Sequence, residues 1–561
     1  MKQNIIAINN NKGGNPRKRR CIMKRMKKLF AILMTMAMVM GLSITGFAVS
    51  ITGTPSANDE ATITVQNVET NATVYAYQIV DAAYDDNGFT GYVPVQLITT
   101  DAAHTDLTVD NELAPSAEEV TAIANAIATG KLSITGEQLR INDDGNYTAD
   151  VGAGYWLIIV NNTATTIYNP MLAGVAYANT DGTENTLEGG TIDADGNFVI
   201  SDEVVYAKSS DAPTLEKEIA EGTYVAPENA YGNDVEIGDT VSFELTTTIP
   251  DYSDAYNNLT FQITDELSEG LTFVDDSFKL NEAALPTGVT ASVDGQTATI
   301  SFTETYIKAN GNATITITYD ATVNENATVN FDANTNEAYI TYTNNQGMTT
   351  SGDPAKTYHY TFALDGMLNG ENGVDTIKTS EIIKVDEKGN VVNKVDTENK
   401  TSATVTGALG DATFQLYQKD GDGSIIQESI MTDTSDASGY FDFSGLEAGT
   451  YYLKETAAPA GYQLDSTEHT VVIEAAYNVD GTLDSYSVTI DGNRKSTYEA
   501  TYEGETITKI DSDVKTAIIK NTTLTKLPST GGMGTTLFTI AGCVIMISAA
   551  GLFFATRKKA N

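Results

Sequence analysis

The sequence is poor in the residue types that most often carry catalysis, metal binding and disulfide formation. Its 561 residues include two cysteines, three histidines and one tryptophan. Cys21 and Cys543 lie near opposite ends of the chain, whereas His104, His359 and His469 are scattered along it. The scatter indicates neither a metal site nor a catalytic triad, and the cysteine positions exclude thiol chemistry from the long central part. We therefore expect no cofactor and no bound metal ion.

Basic residues are scarce relative to acidic ones. The chain has 33 lysines and arginines against 75 aspartates and glutamates, a net charge of −42. Thirteen of the basic residues and none of the acidic ones lie in two terminal segments that we expect to be removed, 1–48 and 531–561. The mature chain would hold 20 basic and 75 acidic residues, a net charge of −55. This charge excludes nucleic acid as a partner and suits a solvated extracellular protein.

The first 48 residues have the pattern of a secretory signal peptide. A basic stretch at 17–28 precedes an apolar stretch at 29–47, which ends in small residues around Ala48. This order is typical of an export leader, and we expect cleavage after Ala48. Because the part before the apolar stretch is unusually long, Met23 or Met26 is an alternative start. An exported chain without internal cysteine is stabilised without disulfides, so another kind of cross-link is worth seeking.

Three features follow one another at the C-terminus. Residues 535–554 carry no charge and are mostly apolar, which is long enough for one helix to cross a bilayer. The basic tail 557–561 should stay on the cytoplasmic side. A short motif precedes both of them, and it consists of Leu527, Pro528, Ser529, Thr530 and Gly531.

This order of motif, apolar span and basic tail resembles the LPXTG cell-wall sorting signal of Gram-positive bacteria. The resemblance implies that a sortase, which is a membrane transpeptidase, cuts between Thr530 and Gly531. It also implies that the Thr530 carbonyl is passed to an amine, either of another protein or of peptidoglycan. The chain would then be the substrate of an enzyme and would be secreted and anchored to the cell wall.

Strand patterns recur along the predicted mature chain. Segments such as 61–65, 241–245 and 314–319 alternate apolar residues with threonine, serine or glutamate, and glycine-containing turns separate them. Helical pattern is scarce and is clearest at 116–129. We predict an all-β fold of tandem immunoglobulin-like sandwiches. The predicted domains are given by three ranges: 49–206, 211–357 and 358–523.

The third predicted domain contains the most specific internal motif. Residues 451–462 closely resemble the E-box of collagen-adhesin (Cna) B-type domains and of pilins. In that family a first-strand lysine and a last-strand asparagine join in a side-chain amide, with the E-box glutamate as catalyst. The resemblance assigns these roles to Lys384, Asn521 and Glu455. Lys378 is an alternative nucleophile.

The chemistry requires these residue types. A lysine attacks only as the neutral amine, so an apolar core must lower its pKa. A carboxyl group in the same core can polarise the asparagine carbonyl and move protons while ammonia leaves. Alternation places Lys384 on the same strand face as Ile382, and Asn521 on the same face as Ile519.

The middle domain shows a weaker version of the same pattern. Its opening segment around Lys217 and its closing strand at Asn336 resemble the corresponding parts of pilin middle domains. The segment that contains Asp265 resembles the one that carries the catalytic acid. The resemblance implies a Lys217–Asn336 amide with Asp265 as the acid, and Asp251 is the alternative acid.

The first domain is expected to lack such an amide, because Lys131 and Arg140, its basic residues before the linker, are not on an opening strand. Trp156 is interpreted as a core residue.

Residues 205–208, Val-Tyr-Ala-Lys, resemble a pilin motif ending Val-Tyr-Pro-Lys that supplies the polymerising amine, with Ala207 in place of proline. We therefore expect Lys208 to be an exposed linker lysine that receives Thr530 of another subunit.

These resemblances together identify the chain as a backbone subunit of a sortase-assembled pilus that supports host adhesion. They imply several partners: a pilus-specific sortase, a housekeeping sortase, identical pilin subunits, minor tip and basal pilins, and peptidoglycan. The alternative is a wall-anchored adhesin that stays monomeric and binds a host matrix protein or glycan. An enzyme is not indicated.

The Asp-Gly loops at 193–197 and 420–423 could hold calcium, although turns are the favoured interpretation.

Overall fold

The computed structural model describes residues 48–557 apart from several gaps. The gaps are 53, 96–116, 162, 164, 180–185, 189–196, 221–229, 253–255, 346–347, 366, 369–376, 379, 396–400 and 525–533. The predicted signal peptide, except its last residue, and the sorting motif at 527–531 lie outside the described residues. The all-β prediction is confirmed, since the described chain forms successive β-sandwich units.

The N-terminal unit places a helix beside its sheets. Its main sheets have the strand orders β10-β8-β3-β4 and β13-β2-β7-β6, and β5 pairs with β3. The smaller sheets have the orders β1-β12-β11 and β14-β9. The strands are β1 (Ala48–Thr52), β2 (Glu60–Gln66), β3 (Thr73–Asp85), β4 (Gly88–Pro94), β5 (Glu137–Gln138), β6 (Arg140–Ile141), β7 (Tyr147–Gly152), β8 (Gly154–Asn161), β9 (Thr166–Tyr168), β10 (Met171–Val175), β11 (Tyr177–Asn179), β12 (Asn197–Ser201), β13 (Glu203–Tyr206) and β14 (Ser209–Asp211).

The helix Ala117–Ala128 confirms the helical pattern at 116–129. Ile123 and Ala124 on this helix are buried in a cluster with Leu157 and Ile159 of β8. A single-turn 3-10 helix follows at Thr186–Glu188.

The middle unit is a sandwich of two larger sheets. One sheet has the order β15-β17-β24-β20-β21, with β19 also on β24. The other has the order β16-β27-β25-β18-β23-β22, with β26 also on β25. The strands are β15 (Leu215–Ile219), β16 (Gly232–Asp234), β17 (Thr240–Thr248), β18 (Phe261–Leu267), β19 (Leu271–Phe273), β20 (Lys279–Leu280), β21 (Ala283–Ala284), β22 (Val289–Asp294), β23 (Thr297–Phe302), β24 (Thr314–Val323), β25 (Asn334–Asn345), β26 (Met348–Ser351) and β27 (Ala355–Tyr360). A short helix, Glu304–Ala309, links β23 to β24.

The C-terminal unit packs a small sheet against a large one. The small sheet has the order β32-β31-β41 and the large sheet the order β34-β33-β36-β37-β38-β39-β40. Two further pairs are β28-β35 and β29-β30. The strands are β28 (Phe362–Leu364), β29 (Met367–Leu368), β30 (Ile377–Lys378), β31 (Ile382–Val395), β32 (Thr401–Ala408), β33 (Thr413–Tyr417), β34 (Met431–Thr434), β35 (Phe443–Leu446), β36 (Gly449–Ala457), β37 (Glu468–Tyr477), β38 (Leu483–Ile490), β39 (Arg494–Glu503), β40 (Thr506–Asp513) and β41 (Ala517–Asn521). A 3-10 turn lies at Gln427–Ser429.

The units are continuous where the sequence predicted linkers. β13 pairs in parallel with β2, and β14 pairs with β9, so the segment leading to the middle unit is part of the first unit's sheets. The predicted boundary between 357 and 358 lies within β27, which pairs with β25 of the middle unit up to His359. Sheet pairing therefore extends the middle unit to the end of β27.

A helix, Gly534–Arg557, covers the apolar segment predicted at 535–554. Among the residues that the structure describes, no helix is both long enough and apolar enough to cross a membrane. The transmembrane role of 535–554 thus stays a prediction.

Carboxylates gather where the middle and C-terminal units meet. The Asp234 carboxylate accepts hydrogen bonds from the Ala448 amide at 2.9 Å and from the Tyr477 hydroxyl at 2.9 Å. Glu236 lies two residues after Asp234. Its pKa is raised to about 7, mainly by burial and to a smaller extent by the nearby carboxylates of Glu447 and Asp239. A buried carboxylate without a cation destabilises the folded chain whenever it is ionised.

The first prediction concerns the pH dependence of this junction. Because the pKa of Glu236 is higher in the folded chain than its ordinary value of 4.5, its contribution to stability is greatest below pH 4.5 and is lost as pH rises to about 7. Glu236→Gln should therefore raise the melting temperature at pH 8 and reduce its fall between pH 5 and pH 8. Thermal unfolding followed by circular dichroism would measure this. The matched control is Glu216→Gln, an exposed change in β15, and equal pH profiles for both variants would contradict the prediction.

Candidate amide cross-link sites

Alternation along three strands of the middle unit brings a lysine, an acid and an asparagine into its core. Lys217 lies in β15, Asp265 in β18 and Asn336 in β25, and all three side chains are at most 1% exposed. The same inward face of β18 carries Phe261 and Ile263. The structure thus brings together the three residues predicted for this site.

The lysine and the acid are in direct contact. Lys217 Nζ lies 2.5 Å from Asp265 Oδ2. Nζ also lies 5.1 Å from the centroid of the Phe243 ring, which forms part of the apolar wall around the pair. Burial lowers the pKa of Lys217, and the neighbouring Asp265 opposes this shift. Burial of Lys217 therefore favours its neutral amine.

The sequence reasoning missed a fourth member of the cluster, Tyr319 of β24. Its hydroxyl oxygen lies 2.6 Å from Lys217 Nζ and 2.5 Å from Asp265 Oδ2. Asn336 Nδ2 donates a hydrogen bond to the same oxygen at 2.9 Å. Burial and the adjacent Asp265 raise the pKa of Tyr319 well above 10, so the phenol keeps its proton. Period-two alternation placed Tyr319 in the core, but nothing in the sequence distinguished it from a packing residue.

The rival acid, Asp251, is in another environment. It is exposed, and its Oδ2 accepts a hydrogen bond from Asn312 Nδ2 at 2.7 Å. Asp265 is therefore the acid that contacts Lys217.

The C-terminal unit has a second buried set. Lys384 Nζ lies 3.2 Å from Glu455 Oε1, and both side chains are at most 1% exposed. Asn521 Nδ2 lies 3.1 Å from each Glu455 oxygen and 2.8 Å from the Gln463 carbonyl oxygen. Burial lowers the pKa of Lys384, and Glu455 opposes the shift. One carboxylate therefore contacts both predicted reaction partners.

The strand arrangement explains this second set. β31 and β41 are parallel neighbours, with Lys384 opposite Ile519 and Asp386 opposite Asn521. Ile519 and Asn521 are buried while Lys520 between them is exposed, as alternation requires. Glu455 enters from β36 of the facing sheet. Lys378 lies in the short strand β30, away from the first-strand position that Lys384 occupies.

The two sites differ in which sheets they would join. Lys217 and Tyr319 belong to one sheet of the middle sandwich, whereas Asp265 and Asn336 belong to the other. Lys384 and Asn521 lie on adjacent strands of a single sheet. A middle-unit amide would tie two sheets together, and a C-terminal amide would tie the first long strand of its unit to the last.

The expectation that Lys208 is exposed was wrong. The residue is half-buried, and its Nζ is covered without a hydrogen-bond partner in the described part of the chain. The physical reason is local pairing, since the Ala207 amide donates to the Gln66 carbonyl at 2.9 Å and the Asn169 amide donates to the Lys208 carbonyl at 3.0 Å. Burial also lowers the pKa of Lys208, which favours the neutral amine.

The other residues that the sequence singled out occupy packing, surface and turn positions. Trp156 is buried and its Nε1 donates to the Gly152 carbonyl at 3.0 Å, in agreement with a packing role. Lys131 and Arg140 are exposed. The Asp420 carboxylate accepts from the amides of Asp422 and Ser424 at 3.0 and 2.8 Å, which is the geometry of a turn. The loop at 193–197 lies outside the described residues except for Asn197.

Comparison with known proteins matches successive parts of the chain to four families. Residues 58–209 match the T6 antigen Ig-like domain, and 237–346 match the Cna-B-like domain of Gram-positive pilin backbone subunit 2. Residues 391–487 match a prealbumin-like fold domain. Residues 519–561 match the LPXTG cell wall anchor motif.

Two related proteins are similar over nearly the whole chain. The trypsin-resistant surface T6 protein of Streptococcus pyogenes serotype M6 is 26% identical over 576 aligned residues, which cover 92% of this chain and 99% of that protein. The solved structure of the T6 backbone pilin of the same serotype is similar with a TM-score of 0.55 at 20% identity. That match covers 84% of this chain and 100% of the T6 chain, and it supports the fold.

The anchor motif and the tandem sandwich domains define a class of protein, the surface proteins that are anchored to the Gram-positive cell wall. Within this class, the pilin domain matches, the anchor motif and the T6 relative support a sortase-assembled backbone pilin, a structural subunit of a surface pilus. It is therefore a sortase substrate that polymerises with other pilins.

Proposed function

We propose that the chain is a shaft subunit whose middle and C-terminal units are each closed by a side-chain amide, Lys217–Asn336 and Lys384–Asn521. The observation that supports this proposal is the pair of fully buried lysines, each in contact with a buried carboxylate and accompanied by an asparagine. Structural ion pairs are seldom buried so completely, because desolvation opposes their formation.

Each amide would form without any cofactor. The carboxylate, Asp265 or Glu455, takes a proton from the lysine ammonium. The neutral Nζ then attacks Cγ of the asparagine, the Nζ–Cγ bond forms and the Cγ–Nδ2 bond breaks. Nζ loses one further proton and Nδ2 gains one, so ammonia leaves and the carboxyl group ends protonated. Apart from this self-modification, the chain is a structural protein and not an enzyme.

The positions of the two amides suit a fibre under tension. A pulling force that enters at Lys208 would pass along β15 to Lys217, cross to Asn336 and continue through β27. In the C-terminal unit it would cross from Lys384 to Asn521 and leave towards Thr530. The sandwich strands between each pair of linked residues would then carry little of the force.

Assembly would use the two ends of this path. A pilus-specific sortase would hold Thr530 as an acyl-enzyme, and Lys208 of an identical subunit would displace it as an amide. Such head-to-tail contacts do not close into a ring, which is what a fibre requires. Because Lys208 Nζ is covered, the segment around Ala207 must shift when the sortase docks. A housekeeping sortase would attach the base to peptidoglycan, with minor tip and basal pilins at the ends and host adhesion as the purpose.

Mass measurement tests the internal amides. The mature chain should weigh less than its sequence by two ammonias, one for each cross-link. Asp265→Ala should restore one ammonia and Glu455→Ala the other, because each removes the group that takes the lysine proton. Intact-mass spectrometry with peptide mapping measures both. Asp251→Ala is the matched control and should leave both losses in place, whereas an unmodified wild-type mass would refute both amides.

The C-terminal amide should contribute strongly to stability. It closes the loop from residue 384 to residue 521, and by analogy with a disulfide such a loop is worth roughly 4–5 kcal/mol. Lys384→Ala should lower the melting temperature and expose the C-terminal unit to protease, with or without reductant. Lys520→Ala, an exposed change on β41, is the control. Equal melting temperatures for wild type and Lys384→Ala would contradict the cross-link.

Substitution of the linking lysine tests assembly. Lys208→Arg keeps the positive charge but replaces the amine with a guanidinium that stays protonated and is a poor nucleophile. In cells with the cognate sortase, this variant should reach the wall as a monomer, and the high-mass ladder on a denaturing gel should disappear. Lys131→Arg in the same unit should leave the ladder unchanged.

Two outcomes would change this assignment. A ladder that persists with Thr530 joined to another lysine would move the linkage away from Lys208. If wild type forms no ladder in its own host, the chain is anchored as a monomeric adhesin.

A further inference from the structure

The two lysine sites differ in the groups that contact the lysine and asparagine nitrogens. In the C-terminal unit, Glu455 contacts Lys384 at 3.2 Å and Asn521 at 3.1 Å, so one carboxylate reaches both reacting nitrogens. In the middle unit, Asp265 contacts Lys217 at 2.5 Å, and its other oxygen, Oδ1, has no hydrogen-bond partner within the described ranges. The contact to Asn336 is made instead by the Tyr319 hydroxyl.

The Tyr319 hydroxyl touches every group that exchanges a proton at the middle site. Its oxygen lies within 2.6 Å of Lys217 Nζ, within 2.5 Å of Asp265 Oδ2 and 2.9 Å from Asn336 Nδ2. The ring is 1% exposed and is held between two aromatic neighbours, with centroid distances of 5.2 Å to Phe243 and 4.9 Å to Phe278. Its position is therefore fixed by packing.

We propose that Tyr319 is a catalytic proton relay for the Lys217–Asn336 amide, which carries a proton from the attacking amine to the departing asparagine nitrogen. This inference rests on the amide assigned to the middle unit above. Asp265, a shorter acid than Glu455, contacts the lysine, and the phenol spans the remaining gap to the leaving group.

The proposed relay balances in protons and in bonds formed and broken. After Asp265 has taken one proton from Lys217, the neutral Nζ attacks Cγ of Asn336. The phenol gives its proton to Nδ2 and takes one from Nζ, so it ends as it began. The Cγ–Nδ2 bond then breaks, ammonia leaves, and the carboxyl group of Asp265 retains the first proton.

The chemical state of Tyr319 agrees with this role. A relay must hold a proton when the reaction starts, and burial beside Asp265 raises the pKa of Tyr319 well above 10. The Asn336 carbonyl oxygen has no hydrogen-bond partner among the residues that the structure describes. It is therefore free to accept a hydrogen bond from the protonated Asp265 carboxyl group as the tetrahedral intermediate forms, and Asp265 keeps its proton.

The test removes the hydroxyl and leaves the ring. The mature full-length chain carrying Tyr319→Phe is compared with wild type for the rate at which the Lys217–Asn336 cross-linked peptide appears as the chain, newly synthesised by cell-free translation, folds. Loss of a positioned proton-transfer group typically costs on the order of 10²–10⁴-fold in rate, so we expect a slowing of at least about 10²-fold. The Lys384–Asn521 peptide of the same molecule, whose described contacts include no tyrosine hydroxyl, should form at the wild-type rate.

The matched control is Tyr256→Phe, which removes another buried hydroxyl from the same core, one that donates to the Tyr168 carbonyl at 2.7 Å. Its Lys217–Asn336 amide should form normally. Equal slowing in both variants would overturn the relay, because the effect would then come from the stability of the core. An unchanged rate in Tyr319→Phe would overturn it while leaving the amide assignment intact. A wild-type chain that lacks the Lys217–Asn336 peptide would overturn both.

Discussion

The burial of a lysine amine against a carboxylate is the constraint on which the rest of this structure depends. A charged pair loses its hydration when a sandwich core closes around it, and removing one partner of such a pair typically costs about 3–5 kcal/mol. Both units that carry such a pair therefore need strands that deliver the lysine, the acid and the asparagine to one place. The sheet orders of the middle and C-terminal units do this in two different ways.

The positions of the buried lysine–carboxylate pairs bear both on the stability of the subunit and on its assembly. The predicted mature chain contains no cysteine, so an oxidising exterior offers it no disulfide. In each unit the paired residues lie close to the point where the chain enters and to the last strands before it leaves, which keeps the direct route between the subunit's ends short. The N-terminal unit has no comparable buried pair among its described residues, and it presents Lys208 on a segment tied down by backbone hydrogen bonds. In the proposed assembly, this segment would move locally while the middle and C-terminal units stay folded.

Much of the candidate site followed from local pattern. Period-two alternation placed Lys384 and Asn521 on inward faces, and the structure buries both. The E-box resemblance singled out Glu455, which contacts both residues. Tyr319 was not found, because a tyrosine on the inward face of a strand has the same local pattern whether it packs or takes part in chemistry. The exposure of Lys208 was misjudged, because linker composition does not reveal that β13 and β14 pair with strands distant in sequence.

By itself, the sequence determined the all-β class and the cell wall anchor motif, and it singled out candidate reacting residues, since these depend on composition, alternation and short contiguous motifs. Only the tertiary structure decided which acid meets which lysine, whether the two partners share a sheet, and that a phenol completes the middle site. Those outcomes depend on the register between strands and on the packing of one sheet over another. Such distances between residues far apart in the chain are fixed by the closing of the core and have no local pattern in the sequence.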